Sequence, residues 1–297
     1  MSPQFDRPDF AMLRRLSRIG LRSRIAVEGA LTGIHKSHSM GQNVEFADFR
    51  EYVKGDDIRR LDWKVYARTD RLYIRQFEEE TSMRVYLVLD QSRSMGYGSH
   101  ETSKIEYASV LASSLAYLFV QQLDSVGLVT FDSEIRDYLP PQSSPDHLVR
   151  LWETLENVTP TKETEVTRNL RNLAARIRKR GLVILISDLF DETEDILKGL
   201  GHFRSHRFEV LVFQVLDPAE LEFPFEGNAV FKDMEIGGQV ETSCRAIRDI
   251  YLRKMGEFLD SVRKGCRQAS VDYHLFNTRE PVGRGLTRYL ALRLKRI

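Results

Sequence analysis

Five apolar residues run without a break, Val85-Tyr-Leu-Val-Leu89, and end on Asp90. A strand with one wet face alternates apolar and polar residues. An unbroken run instead marks a strand buried on both faces, as in a parallel sheet covered by helices. Similar short runs recur at 126–131, 182–186, 209–215 and 271–276. A further strand is predicted at 134–139, joined to its predecessor by a tight Asp132-Ser133 turn and stopped by Pro140-Pro141. Helical patterns fill the gaps. The stretch 104–123 carries Ala108, Leu111, Ala112, Leu115, Leu118 and Phe119 on one side. Others fall near 145–156, 165–179 (with Gly181 as the C-terminal stop), 196–203, 243–268 and 284–295. Strands alternating with helices predict an α/β fold: a doubly wound, mostly parallel sheet with helices on both faces.

Residues 83–297 hold this pattern, with an irregular or hairpin insertion near 218–239. Residues 1–82 form an N-terminal flank: one or two short helices within 9–32, then a stretch dense in charges and aromatics that ends in a strand-like piece at 72–77. Lys+Arg is 44 and Asp+Glu is 43, so the formal net charge of +1 gives no general field for nucleic acid. Arg14, Arg15, Arg18, Arg22 and Arg24 cluster locally. They read first as the solvated face of a helix and second as a face for a partner or a membrane surface. The two cysteines, Cys244 and Cys266, form no CxxC pair, which argues against structural zinc and suits a reducing cytoplasm, the expected location. No apolar run reaches the length of a membrane span, and the interleaved arginines of 1–30 do not resemble a signal peptide.

In a doubly wound sheet, ligands bind beyond the carboxyl ends of the strands, where strand order reverses. Asp90 stands at such an end, and Ser92 and Ser94 follow in the loop toward the next helix. All three side chains offer hard oxygen, which selects Mg²⁺ or Mn²⁺ over zinc. Asp188 ends the 182–186 strand and belongs on the same rim. A further hydroxyl is expected from "TPTKETEVTRNL", with Thr164 the first choice and Thr161 and Thr167 the alternatives. Neutral hydroxyls donate weakly, so a cation held this way keeps positive charge and an open position for water or a foreign carboxylate. Asp90-x-Ser92-x-Ser94 with a later threonine and Asp188 resembles the metal-ion-dependent adhesion site of von Willebrand factor A domains. The resemblance implies that Ser92, Ser94 and Thr164 touch the metal, and that Asp90 and Asp188 act directly or through water. The family usually places small residues before the threonine, where this chain has Lys162-Glu163.

A second resemblance lies in residues 33–80. The spaced set Gly41, Glu45-Phe46, Asp48, Arg50, Tyr52, Gly55-Asp56-Asp57, Arg59, Asp62-Trp63, Ala67-Arg68-Thr69 and Phe77-Glu78-Glu79-Glu80 is similar to the bacterial domain-of-unknown-function-fifty-eight family. Members of that family carry an A-like domain. The similarity continues through "ELEFPFEGNAVFKDMEI" to the C-terminal "DYHLFNTREPVGRGLTRYLALR". It implies partnership with a MoxR-type AAA+ ATPase in chaperone-like or complex-maturation work. Asp56, Asp57 and Asp62 interleave with Arg59, Arg60, Arg68 and Arg75, which suits a salt-bridged scaffold first and an ATPase-docking surface second.

Enzyme signatures are sparse. The sequence has no GxxxxGK[ST] loop and no G-x-S-x-G elbow. His202 and His206 stand four apart, without the glutamate of HExxH or a third ligand. His100 is the histidine nearest to Ser92 and Ser94, and is expected on an exposed loop. The expectation is therefore a non-enzymatic, Mg²⁺- or Mn²⁺-dependent protein-binding module whose partner supplies an Asp or Glu to the metal. A metal-dependent hydrolase using the same ion, with Asp188 and Asp191 beside it, is the alternative.

Overall fold

The computed structural model describes residues 18–37, 49–51, 66, 68, 71, 73–75, 83–161, 166–177, 180–232 and 238–294. The chain divides into two compact units, one of residues 1–36 with 83–297 and one of residues 37–82. In the smaller unit, β1 (Phe49–Glu51) pairs antiparallel with β2 (Tyr73–Arg75). Of the spaced motif set, Arg50 and Arg68 are described. Its other members, and the acidic partners of the expected salt-bridge scaffold, lie outside the described residues.

The larger unit is built on a six-stranded sheet. Its first five strands are β3 (Arg84–Asp90), β4 (Ser125–Phe131), β5 (Ile135–Gln142), β6 (Leu182–Ser187) and β7 (Glu209–Leu216). The stretch near 218–239, expected to be an irregular or hairpin insertion, opens with a short helix, Pro218–Glu222, followed by a separate antiparallel pair, β8 (Asn228–Lys232) and β9 (Gln239–Ser243). The sixth strand is β10 (Asp272–Asn277), and the spatial order is β10-β7-β6-β3-β4-β5. All neighbours in the sheet are parallel except β4 and β5. This is the expected doubly wound architecture.

The edge position of β5 explains one departure from expectation. Pro140-Pro141 is expected to stop this strand, yet it runs on to Gln142. A proline removes a ladder donor, and an edge strand can spare one on its open side. The partner strand adapts as well. The β4–β5 register shifts between Val126 and Leu128, and a Cβ on Gly127 would lie 2.7 Å from the Leu139 carbonyl oxygen.

Alternate residues of each central strand feed opposite cores, as strand geometry requires. Val85, Leu87 and Leu89 join a core closed by helices Lys104–Gln121, Pro145–Glu156 and Val282–Leu294. Tyr86 and Val88 join a second core under helices Val166–Arg176, Thr193–Ser205 and Cys244–Gln268. Fully burying one such aliphatic side chain stabilises the fold by roughly 1.5–3 kcal/mol before conformational entropy is counted. The helix Arg18–Ser37 also belongs to the first core, through Ile19, Val27 and Ala30. Gly20 permits this approach, since a Cβ there would lie 2.7 Å from the Trp152 ring. On the same helix Arg18 and Arg22 are exposed and Arg24 pairs with Glu28 at 2.7 Å, as a solvated face requires; Arg14 and Arg15 lie outside the described residues. Gly181, expected as a helix stop, serves a different purpose. The helix ends at Arg176, and a Cβ on Gly181 would collide with the Arg84 carbonyl. Among the described residues, no helix is long and apolar enough to cross a membrane.

Candidate functional site

The neighbours of β3 are β4 on one side and β6 on the other, so strand order reverses between β3 and β6. Asp90 ends β3, and Asp188 directly follows β6. Both are fully buried. The Asp90 carboxylate accepts the Ser92 backbone N–H at 2.8 Å and the Ser187 hydroxyl at 2.6 Å. Both donors are neutral. Burial first, and the Asp188 charge second, push the Asp90 carboxyl up to about 7.

Ser92 and Ser94 stand at the start of a short 3-10 turn, Arg93–Gly96, which turns the chain toward the next helix. Their hydroxyl oxygens lie 3.1 Å apart. Adjacent ligands on an octahedral Mg²⁺ at 2.0–2.1 Å would be separated by about 2.9 Å. The two hydroxyls therefore fit neighbouring coordination positions. Among the described residues, no three His, Cys, Asp or Glu side chains form a metal-holding group, so a cation here would depend on hydroxyls as well as carboxylates. The donor set of two aspartates and two serines is hard oxygen throughout and fits Mg²⁺ or Mn²⁺.

Thr164 lies outside the described residues. Of the alternatives, Thr161 donates its hydroxyl to Asp132, and its backbone N–H reaches the Gln91 carbonyl at 3.2 Å. Thr167 sits in helix Val166–Arg176, beside Gly199 of the following helix, and its buried hydroxyl has no hydrogen-bond partner among the described residues.

Lys104 is absent from the sequence-derived set, yet it sits at the centre of the rim's charge balance. Ser103 and Glu106 form a reciprocal capping box that starts the helix here, which places Lys104 in its first turn. Its side chain is fully buried, with the ammonium 2.7 Å from Asp188 Oδ2 and 2.6 Å from Glu220 Oε1. The ring of Phe190 lies under it, 4.8 Å from the ammonium to the centroid. Burial works against the ammonium, but Asp188 and Glu220 outweigh it and raise the lysine above its ordinary value. A signal exists in the sequence. Lys104 stands one turn before Ala108 on the helix's apolar stripe, where a charge needs an internal partner.

Other residues singled out by the sequence make local contacts. Asp191 is half-buried, and its carboxylate accepts the neighbouring Glu192 N–H at 2.8 Å. His100 is exposed and contacts the Thr278 hydroxyl at 3.2 Å. His206 turns a ring nitrogen onto the His202 carbonyl at 2.8 Å, at the end of its helix. Nearby, Asp217 accepts from the Ser99 hydroxyl and backbone N–H at 2.5 and 2.9 Å, tying the 97–103 loop to the helix Pro218–Glu222.

A family profile described as "Protein of unknown function DUF58" matches residues 48–257. The uncharacterised protein Rv1480 of Mycobacterium tuberculosis is 27% identical over 252 residues, covering 84% of this chain and 78% of its own length. Among solved structures, an aerotolerance-related membrane protein from Bacteroides fragilis, with multiple mutations to serines, is similar at a TM-score of 0.50 and 18% identity. The match covers 72% of this chain and 100% of that one, and concerns the fold alone. The SpRpn10 VWA domain is similar at a TM-score of 0.43 and 8% identity, over 69% of this chain and 94% of its own.

Proposed function

The chain belongs to the DUF58 family of proteins of unknown function, and we propose that it is a divalent-cation-dependent protein-binding module. Asp90, Ser92, Ser94 and Asp188, with Thr164 on the resemblance to the adhesion-site pattern, would hold Mg²⁺ or Mn²⁺. A bound cation would supply an open positive position for an Asp or Glu of the partner. A MoxR-type AAA+ ATPase is the proposed partner class, on the family resemblance.

The observation that carries this reading is the charge deficit at Asp90. It is a fully buried carboxylate held by neutral donors, and the nearby Lys104 is engaged by Asp188 and Glu220. A buried charge without a counter-charge is unfavourable, and a divalent cation would relieve it. The chain's own residues have distinct parts here. Asp90 and Asp188 supply negative charge, Ser92 and Ser94 supply neutral oxygens, and Lys104 orients Asp188. Calorimetry with Mg²⁺ and Mn²⁺ tests the reading. Saturable binding by the wild type, lost in Asp90→Ala, is the expected result; equal weak heats from both proteins would overturn it.

A further inference from the structure

A cleft of about 700 Å³ adjoins the rim. Ser94 lines it as well as belonging to the oxygen cluster, so rim and cleft are continuous. Its walls are apolar and largely aromatic. Phe223 stacks on Phe231 with ring centroids 5.6 Å apart, and meets Tyr251 at 4.7 Å. Phe223 takes a left-handed backbone conformation, φ 46°, as it leaves the helix Pro218–Glu222. The outer wall is the β8–β9 pair, which contributes Phe231, Val240 and Thr242.

Two features indicate what the cleft accepts. Val240 lines it and is 63% exposed, an apolar side chain open to a ligand. Lys232 brings an ammonium to the lining, and the carboxylate that also lines it, Glu220, is already paired with Lys104 at 2.6 Å. An apolar cleft with a cationic side chain at its wall, continuous with a rim suited to a metal cation, complements a ligand that is both greasy and acidic. We propose that the cleft seats an aromatic or large aliphatic side chain of a partner's acidic segment, next to the carboxylate that meets the rim. This rests on the cation-dependent reading above and names the chemistry of the partner it would select.

Four blocked hexapeptides serve as probes, identical except for a central pair: Phe-Asp, Ala-Asp, Phe-Asn or Ala-Asn. Each is titrated into the full chain with magnesium present. The Phe-Asp peptide is expected to bind about tenfold more tightly than Ala-Asp, the effect of about 1.4 kcal/mol from one partly buried ring. Val240→Asp and Thr242→Trp are expected to erase that preference while leaving magnesium heats unchanged. Val240 is exposed, so its variant should fold. Equal binding of Phe-Asp and Ala-Asp, with magnesium binding intact, would overturn the cleft proposal and leave the cation reading standing. Absence of magnesium binding would overturn both. Self-association of the wild type that Val240→Asp abolishes would assign the cleft to a second copy of the chain, and so also overturn the proposal.

Discussion

Asp90 and Asp132 stand at the carboxyl ends of adjacent parallel strands, and their surroundings are opposite. Asp132 follows β4 and is also buried, but Arg136 donates to it at 2.9 Å, with the Glu134 N–H at 3.1 Å and the Thr161 hydroxyl beside them. Burial opposes ionisation there, yet Arg136 foremost, then Thr161 and Glu134, hold the Asp132 carboxyl below its usual range. Asp90 has neutral donors and is pushed up to about 7. One aspartate is neutralised by its own chain and serves structure. The other has only neutral donors, and on the proposed reading an outside cation would make good that shortage of positive charge. Asp188 lies between these cases, since Lys104 neutralises it from within.

The strongest response should come from making Asp188 resemble Asp90. Lys104→Met should lower the stability of the metal-free protein by roughly 3–5 kcal/mol, because it orphans two buried carboxylates. It should also tighten magnesium binding, so that magnesium restores much of the loss. Chemical denaturation with and without the ion reads both effects. If magnesium affinity were unchanged, Lys104 and the ion would not share Asp188.

Asp132→Ala probes the contrast from the other side. It should cost roughly 2–4 kcal/mol by stripping a partner from Arg136, Thr161 and Glu134, while magnesium heats remain those of the wild type. Lost magnesium binding in a folded variant would erase the distinction between the two aspartates.

A more modest effect appears with pH. Without divalent ions, folded Asp90 keeps a proton that the unfolded chain releases near its ordinary carboxylate value. Stability should therefore fall as pH rises from about 4 to about 7. Asp132 works in the opposite sense, contributing stability that is lost as pH falls below the ordinary carboxylate range. Thermal melts across that range should show a slope that Asp90→Asn or added magnesium flattens. The weakest response should come from Thr161→Val, about 1 kcal/mol of stability with no change in magnesium affinity. A large loss of affinity would move Thr161 from the Asp132 network to the ion.

The fold was legible because the central strands are unbroken apolar runs, and a doubly covered sheet accommodates them. The Asp90-x-Ser92-x-Ser94 spacing was legible because it is local. Lys104 was legible only in part: its place on the helix's apolar stripe calls for an internal partner, but the partners, Asp188 and Glu220, are remote in sequence and need the fold to appear. Asp132 reads as a turn residue, which it is, but its ties to Arg136 and Thr161 need the fold to appear. The continuation of β5 through Pro140-Pro141 depends on its edge position, which no local pattern reports.

Anomalous diffraction from crystals of the full chain grown with Mn²⁺ decides whether the shortage at Asp90 is met by a metal. One strong peak is expected within bonding distance of the Ser92 and Ser94 hydroxyls, between Asp90 and Asp188. A map with no peak there, and with the Ser92 hydroxyl still hydrogen-bonded to that of Ser94, would contradict it.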